Sequence, residues 1–261
     1  MIIHSIANRL FTSYFFIISA CGLLAFSGCA GDNQEKGTGT SQFNPAEITH
    51  LKEEMLNGKV KTLTKYSYGA VVKTENGWIK GNMITKRISM FGENGNMDLT
   101  TEEYYGDAEI LIGKSLTTYL YDNNHVFTGA TVTNPSGDII TQTVEWKDNK
   151  RTITNFIGKD ISDIKNVIGI QTSSFNPDGS ISVKVTDDEP DATTLYGYNY
   201  GSDNTVITVQ NKTNSTESKI YRTVLEKDKH NNPLAIAISY EPFNGFIADG
   251  FEEYVYTYWD E

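Results

Sequence analysis

Apolar and polar residues alternate along most of this chain with a period of two. Strand side chains point to opposite faces in turn, so this alternation predicts β-strands. Ile84, Ile88 and Met90 share one face, as do Ile140, Val144 and Trp146, and then Ile181, Val183 and Val185. Leu234, Ile236, Ile238 and Tyr240 alternate with Ala235, Ala237 and Ser239, which predicts a strand with one buried face. Lys59–Tyr68 is rich in Thr and Tyr, and Ile110–Tyr121 reads as one long strand or two joined at Gly113. Two tyrosine ladders stand out: Tyr196, Tyr198 and Tyr200, and near the end of the chain Tyr254, Tyr256 and Tyr258.

Helical spacing is confined to two places. Asn44-Pro-Ala-Glu47 is a helix start, with an N-cap, a proline at the first position and an acid three residues after the cap. Ile48, Leu51 and Met55 follow at helical intervals and Asn57-Gly58 ends the run, so a short helix is expected over 44–56, with His50 on its polar face. Asp160–Gly169 carries a second, weaker pattern, with Ile161, Ile164, Val167 and Ile168 in register.

A unit of an aromatic residue followed by a polar turn recurs. It is found at Phe91 (Gly-Glu-Asn-Gly-Asn), Tyr121 (Asp-Asn-Asn), Trp146 (Lys-Asp-Asn), Phe175 (Asn-Pro-Asp-Gly) and Tyr200 (Gly-Ser-Asp-Asn). The steps between them are 30, 25, 29 and 25 residues. Such a period accommodates two strands and two turns. Intervening turns fall at Asn134–Asp138, Asp187–Asp191 and Asn211–Asn214. The fold class is therefore all-β: an antiparallel meander of ten or more strands, either an elongated repeat sheet or a barrel. A barrel would remove the sheet edges. The strands show no outward apolar band, which argues against a barrel spanning the membrane.

The N-terminal 29 residues differ from the rest. Met1–Arg9 holds one basic residue, an apolar run extends from Leu10 to Phe26, and Phe26-Ser-Gly-Cys29 closes it. This resembles the lipobox of bacterial lipoproteins, in which the cysteine is lipidated and becomes the mature N-terminus, here with Phe26 at the position usually held by leucine. Ile18-Ser-Ala-Cys21 is a second match, but cleavage there would leave apolar Leu23–Phe26 on the tether. Cys29 is the expected lipidation site. Residues 30–42 then form a small, polar tether reaching about 20 Å as a coil, and 43–261 a single β-rich domain. By the same resemblance, Ala30 directly after the cysteine directs the protein to the outer membrane, facing either the periplasm or the cell surface.

The C-terminal part resembles the tyrosine–aspartate repeats of RHS-type proteins. The resemblance rests on Glu226-Lys-Asp-Lys-His-Asn-Asn-Pro-Leu-Ala235, a strand, a turn and Glu253-Tyr-Val-Tyr-Thr-Tyr-Trp-Asp260, with Tyr121-Asp122 and Gly95-Asn96 as partial copies. Asn231-Asn232 stands where those repeats have Gly-Asn. The chain resembles small lipoproteins of Bacteroidota, which carry no established catalytic residues to transfer.

Composition narrows the function classes. The chain of 261 residues has only two cysteines, Cys21 and Cys29, both in the leader, so the domain has no disulfide and no thiol nucleophile. Removing the leader with its single Arg9 takes the net charge from −11 to −12. That charge disfavours nucleic acid and anionic headgroups as partners. His50, His125 and His230 have no metal-ligand spacing, and the acidic run Asp187–Asp191 lacks the alternating ligands and glycine of a Ca²⁺ loop, so no metal and no cofactor is expected. The chemistry-bearing feature is the tyrosine ladders: Tyr196, Tyr198, Tyr200, Tyr254, Tyr256 and Tyr258 are candidate ligand-binding aromatics, with no catalytic residue indicated. The expected role is non-catalytic, binding a glycan or an envelope protein from a lipid-anchored position in the cell envelope. Two rivals stand beside it: a polysaccharide hydrolase with converging carboxylates, and an immunity lipoprotein whose acidic charge suits a basic toxin.

Overall fold

The computed structural model describes residues 43–189 and 192–259. The leader, Cys29 and the tether lie outside the described residues. The strands are, in chain order, β1 (Val60–Tyr68), β2 (Val71–Thr74), β3 (Gly77–Lys80), β4 (Met83–Phe91), β5 (Met97–Tyr105) and β6 (Leu111–Tyr121). They continue as β7 (Phe127–Thr133), β8 (Ile139–Lys147), β9 (Lys150–Ile157), β10 (Val167–Phe175), β11 (Ile181–Glu189) and β12 (Ala192–Tyr200). The last five are β13 (Asn204–Asn211), β14 (Thr216–Lys227), β15 (Pro233–Ser239), β16 (Ile247–Ala248) and β17 (Gly250–Tyr258). Fourteen of them form one closed antiparallel barrel, in which β1 pairs with both β4 and β17 and so joins the two ends of the meander. β16, β2 and β3 make a separate three-stranded sheet. Of the two architectures the alternation allowed, the chain adopts the closed one.

The recurring aromatic-plus-turn units all lie at one end of the barrel, one per hairpin. The turns at 92–96, 122–126, 176–180 and 228–232 share one hydrogen-bond scheme. The first residue's N–H donates to the fifth carbonyl, as in Asp228 to Asn232 at 2.8 Å, and the fourth donates back to the first, as in Asn231 to Asp228 at 3.0 Å. The fourth position has a left-handed backbone and is filled by Gly95, His125, Gly179 and Asn231, with φ of 82°, 62°, 90° and 67°. This is a turn followed by a one-residue bulge, which demands glycine or a residue tolerant of positive φ. Aromatic residues before the turns, and Tyr256 within β17, tie hairpin to hairpin. Tyr121 Oη donates to the Met97 carbonyl (2.6 Å), Trp146 Nε1 to Phe127 (3.0 Å), Tyr200 Oη to Ile181 (2.6 Å) and Tyr256 Oη to Pro233 (2.9 Å). Each accepting carbonyl belongs to the first residue of a strand.

The N-terminal helix is shorter than expected. A 3₁₀ turn covers Pro45–Glu47, with Asn44 as its cap, and α1 covers only His50–Glu53. Ile48 between them has φ −88° and ψ 84°, outside the helical region. Thr49 caps α1 by accepting from Lys52 N–H. The break turns Ile48 into a cluster with Phe175 and Ile181, while Leu51 and Met55 pack on a second cluster around Phe91, Met97 and Ile236. A continuous helix would not serve both. This segment fills the turn-rich end of the barrel, and His50 on it is buried at 6% exposure, contrary to the expectation of a polar face. The weak helical pattern at 160–169 yields a 3₁₀ turn at Ile164–Asn166 and then the start of β10, since the chain must rejoin the ladder beside β9.

The core does not follow a simple apolar-in rule. Cross-strand register puts Lys65, Arg87, Glu102, Arg151, Lys184, Arg222 and Glu252 on the face turned into the barrel. β15 is buried on both faces rather than one: Ile236 is 0% exposed inside, and Ala235 and Ala237 lie under the small sheet with Val71, Ala248 and Phe251.

Candidate functional site

Both tyrosine ladders point inward. On β12, Tyr196 pairs with Lys184 and Val209, and Tyr198 with Ile207, all on the inner face. Tyr198 and Tyr200 stack at 6.1 Å with planes 17° apart, and the Tyr200 phenol, held protonated by burial, bonds the Ile181 carbonyl. On β17, Tyr254 pairs with Lys65 and Tyr256 with Leu63. Tyr254 and Tyr256 stack at 6.3 Å with planes 7° apart. β12 and β17 are separated by β13, β14 and β15, so the two ladders are not one surface.

The β17 ladder is embedded in a polar network. Glu252 accepts from Arg222 and from Tyr254 Oη, with Lys65 Nζ 3.5 Å away. Burial alone would raise the Glu252 pKa, but Arg222 and Lys65 overcome it and hold the carboxyl down at about 2. Tyr258 Oη donates to Asp228 and accepts from Asn232 Nδ2 (2.8 Å). Asn232, 0% exposed, also donates to the Asn57 carbonyl (2.9 Å) and accepts from Asn57 N–H (2.7 Å). The segment filling the barrel end is thus clasped to the β14–β15 turn. The His230 ring covers Tyr258 at 4.1 Å.

A cleft opens beside this ladder. β15 and β17 pair only from Ala235 to Ile238 against Gly250 to Glu253, four positions, whereas β17 pairs with β1 over eight. Below Glu253 the two strands part. The opening has a volume of about 470 Å³ and is lined by Asp228, Lys229, Leu234, Tyr254, Val255, Tyr256 and Tyr258. That volume lies in the range of small-ligand sites. Tyr256 crosses the gap, its phenol bonded to the Pro233 carbonyl. The C-terminal ladder therefore borders an open cleft. Asp228, Lys229, Leu234 and Val255 were not candidate site residues in the sequence, because only the β14–β15 turn and the pairing of β15 with β17 bring them together.

At the centre of the filled end, Arg151 makes a two-pronged ion pair with Glu53, Nη2 to Oε2 at 2.9 Å, and both side chains are buried. Its guanidinium lies 5.2–5.5 Å from the ring centres of Phe175, Phe127 and Trp146. Met97 N–H donates to His50 Nδ1, and burial pushes the His50 pKa down to about 4. Among the described residues no group of His, Cys, Asp and Glu could hold a metal ion.

The chain matches no protein-family model and no curated protein. Among solved structures it is similar to a porin-like protein from Bacteroides uniformis, at 10% identity and a TM-score of 0.36, over 77% of this chain and 99% of that one.

Proposed function

We propose that this protein is a lipid-anchored, non-catalytic binding protein of the bacterial cell envelope, attached through Cys29, with a glycan or an envelope protein as its ligand. One observation carries the reading. Residues 43–57 fill the turn-rich end of the barrel while a cleft of about 470 Å³ opens at the β15–β17 seam beside a tyrosine ladder. A blocked end with a buried ion pair suits a receptor better than a conduit. The cleft lining carries one carboxylate, Asp228, already accepting from Tyr258. Hydrolysis of a glycosidic bond ordinarily needs two. Glu252, ionised down to about pH 2, is unsuited to act as a general acid.

Two measurements test this. Radiolabelled palmitate should enter the full chain and not the Cys29→Ala variant, and the protein should fractionate with outer membrane. In planar bilayers the purified protein should give no steady conductance. Open-channel currents would overturn the receptor reading in favour of a pore, and unlabelled, freely soluble protein would overturn the anchor.

A further inference from the structure

The inner face of the barrel changes from one end to the other. Next to the plug of residues 43–57 it is sealed: Arg151, Ser173 and Thr205 are buried, Ile207 is 3% exposed and Arg222 1%. Two residues further along the same strands it opens. Val209 is half-buried after Ile207, Ile220 after Arg222, Ile153 after Arg151 and Gln171 after Ser173. Ser218, opposite Val209 on the inner face, is exposed. Register keeps these side chains inside, since Val209 pairs with Tyr196 and Ile153 with Val144 and Gln171. Inner side chains of a closed barrel can reach solvent only through space within it. A barrel of about eight strands is filled by its side chains, and one of about sixteen leaves a channel. Fourteen strands plugged at one end leave a cup that opens at the other.

The lining of this cup says what it holds. Charged inner residues of these walls, Arg151, Lys184 and Arg222, lie at the floor and are buried. Above them the inner face of β7 to β10 and of β13 and β14 is uncharged among the described residues. Half-buried aliphatics dominate it: Val132, Ile140, Ile153, Val209 and Ile220. Gln142 and Asn155 between them spend their amides on one another, Nε2 to Oδ1 at 2.8 Å. A water-filled conduit is lined by polar side chains. Wetting this wall instead costs about 25 cal/mol per Å² of apolar surface, which an apolar ligand would recover. The lip repeats the pattern. Ile110 in the β5–β6 connection, Ile161 and Ile164 in β9–β10 and Phe246 in β15–β16 are exposed, Ile164 at 84%. None of the exposed large apolar side chains lies in a connection at the turn-rich end.

We propose that the cup binds the aliphatic chain of a lipid, which enters across the apolar lip at the end opposite the plug and leaves its head group at the mouth. The site is separate from the seam cleft and goes beyond the receptor reading. From Ile207 to Asn211 the wall rises roughly 13 Å at about 3.3 Å per residue, room for part of a chain rather than a whole lipid. A sugar or a peptide would have to bury hydroxyls or amides against Val209, Ile153 and Ile220 without partners. A saturated chain has no such groups to satisfy.

The test uses the mature chain, 29–261, carrying Cys29→Ala so that it has no acyl chain of its own. Parinaric acid, whose fluorescence rises in an apolar site, is titrated in, followed by its methyl ester. Saturable enhancement by both is expected of a site that reads the chain, and enhancement by the ester alone would make an esterified lipid the source. Enhancement by the free acid alone would put recognition on a carboxylate and overturn the proposal. A doxyl-labelled stearate reads position. It should broaden the methyl signals of Val132, Ile140, Ile153, Val209 and Ile220 and leave those of Leu116 and Leu120, exposed on the outer wall, sharp. Val209→Asn and Ile220→Asn should each weaken parinarate binding about tenfold, since an amide would lose its water against the chain. Leu120→Asn should leave binding unchanged. If a lumen variant fails to fold, the broadening in the unsubstituted lining decides. No saturable enhancement, or broadening as strong on the outer wall as in the lumen, would overturn the proposal and leave the receptor reading standing.

Discussion

Arg151 and Glu53 show how single residues hold the filled end of the barrel. Both are buried, and the guanidinium lies among three aromatic rings. Removing one partner leaves the other charge buried alone, a cost of about 3–5 kcal/mol. Glu53→Gln and Arg151→Met should each lower the unfolding free energy by that much, and the double variant should cost much less than the sum, as urea titrations of all four proteins will read. His50 sets a pH dependence. Its folded pKa of about 4 lies below the ordinary 6.5, so the folded state binds fewer protons than the unfolded one. Its contribution is fully present above pH 6.5 and is lost as pH falls toward 4, by up to about 3 kcal/mol. A second loss, from Glu252, follows between the ordinary 4.5 and about 2. Urea midpoints measured from pH 7 to pH 4 should fall in the wild type and stay flatter in His50→Gln.

At the scale of elements, the hairpin is the unit of construction. Each aromatic that donates to a neighbouring strand's first carbonyl adds one half-buried hydrogen bond. Tyr121→Phe and Tyr200→Phe should each cost about 1 kcal/mol by loss of that bond, with the carbonyl left unsatisfied raising the figure toward 2. Asn232→Ala severs three bonds at once, to both main-chain groups of Asn57 and to Tyr258. It should cost more than either tyrosine change and should speed amide exchange across 43–57, which a merely local defect would not do. The small sheet of β16, β2 and β3 is an element with a structural task, since it covers Ala235, Ala237 and Phe251 on the outer wall. Phe251→Ala should cost about 3–5 kcal/mol, read by thermal or urea unfolding.

For the molecule as a whole, closure is the organising event. β1 and β17 lie almost two hundred residues apart, with Val60 opposite Tyr258. Such long-range pairing is slow to form, and folding on a scale of milliseconds to seconds or longer is expected from stopped-flow refolding. A chain ended before Gly250 loses β17 and leaves β1 and β15 as open edges. It should fail to show a cooperative unfolding transition and should aggregate on refolding, whereas the full domain should refold reversibly.

The period-two alternation and the aromatic-turn units, read along the chain, determined that this protein is an antiparallel all-β meander with hairpins of 25–30 residues. They could do so because side-chain alternation and turn chemistry are local. Turns such as Asp228–Asn232 and Gly92–Asn96 take their form from residues within five positions of one another. The resemblance to a lipobox around Cys29 is local in the same way, and it stays an expectation. Tertiary structure alone decided whether the meander closed, since that depends on accumulated twist and on β1 meeting β17. It also decided that Lys65, Arg222 and Glu252 face inward together, that Thr49 interrupts the expected helix, and that His50 is buried. The seam belongs to this second class. Tyr254, Tyr256 and Tyr258 were visible as a ladder in the sequence, but the cleft beside them exists because β15 stops pairing with β17 after four positions, and no pattern within either strand records where a neighbour ends.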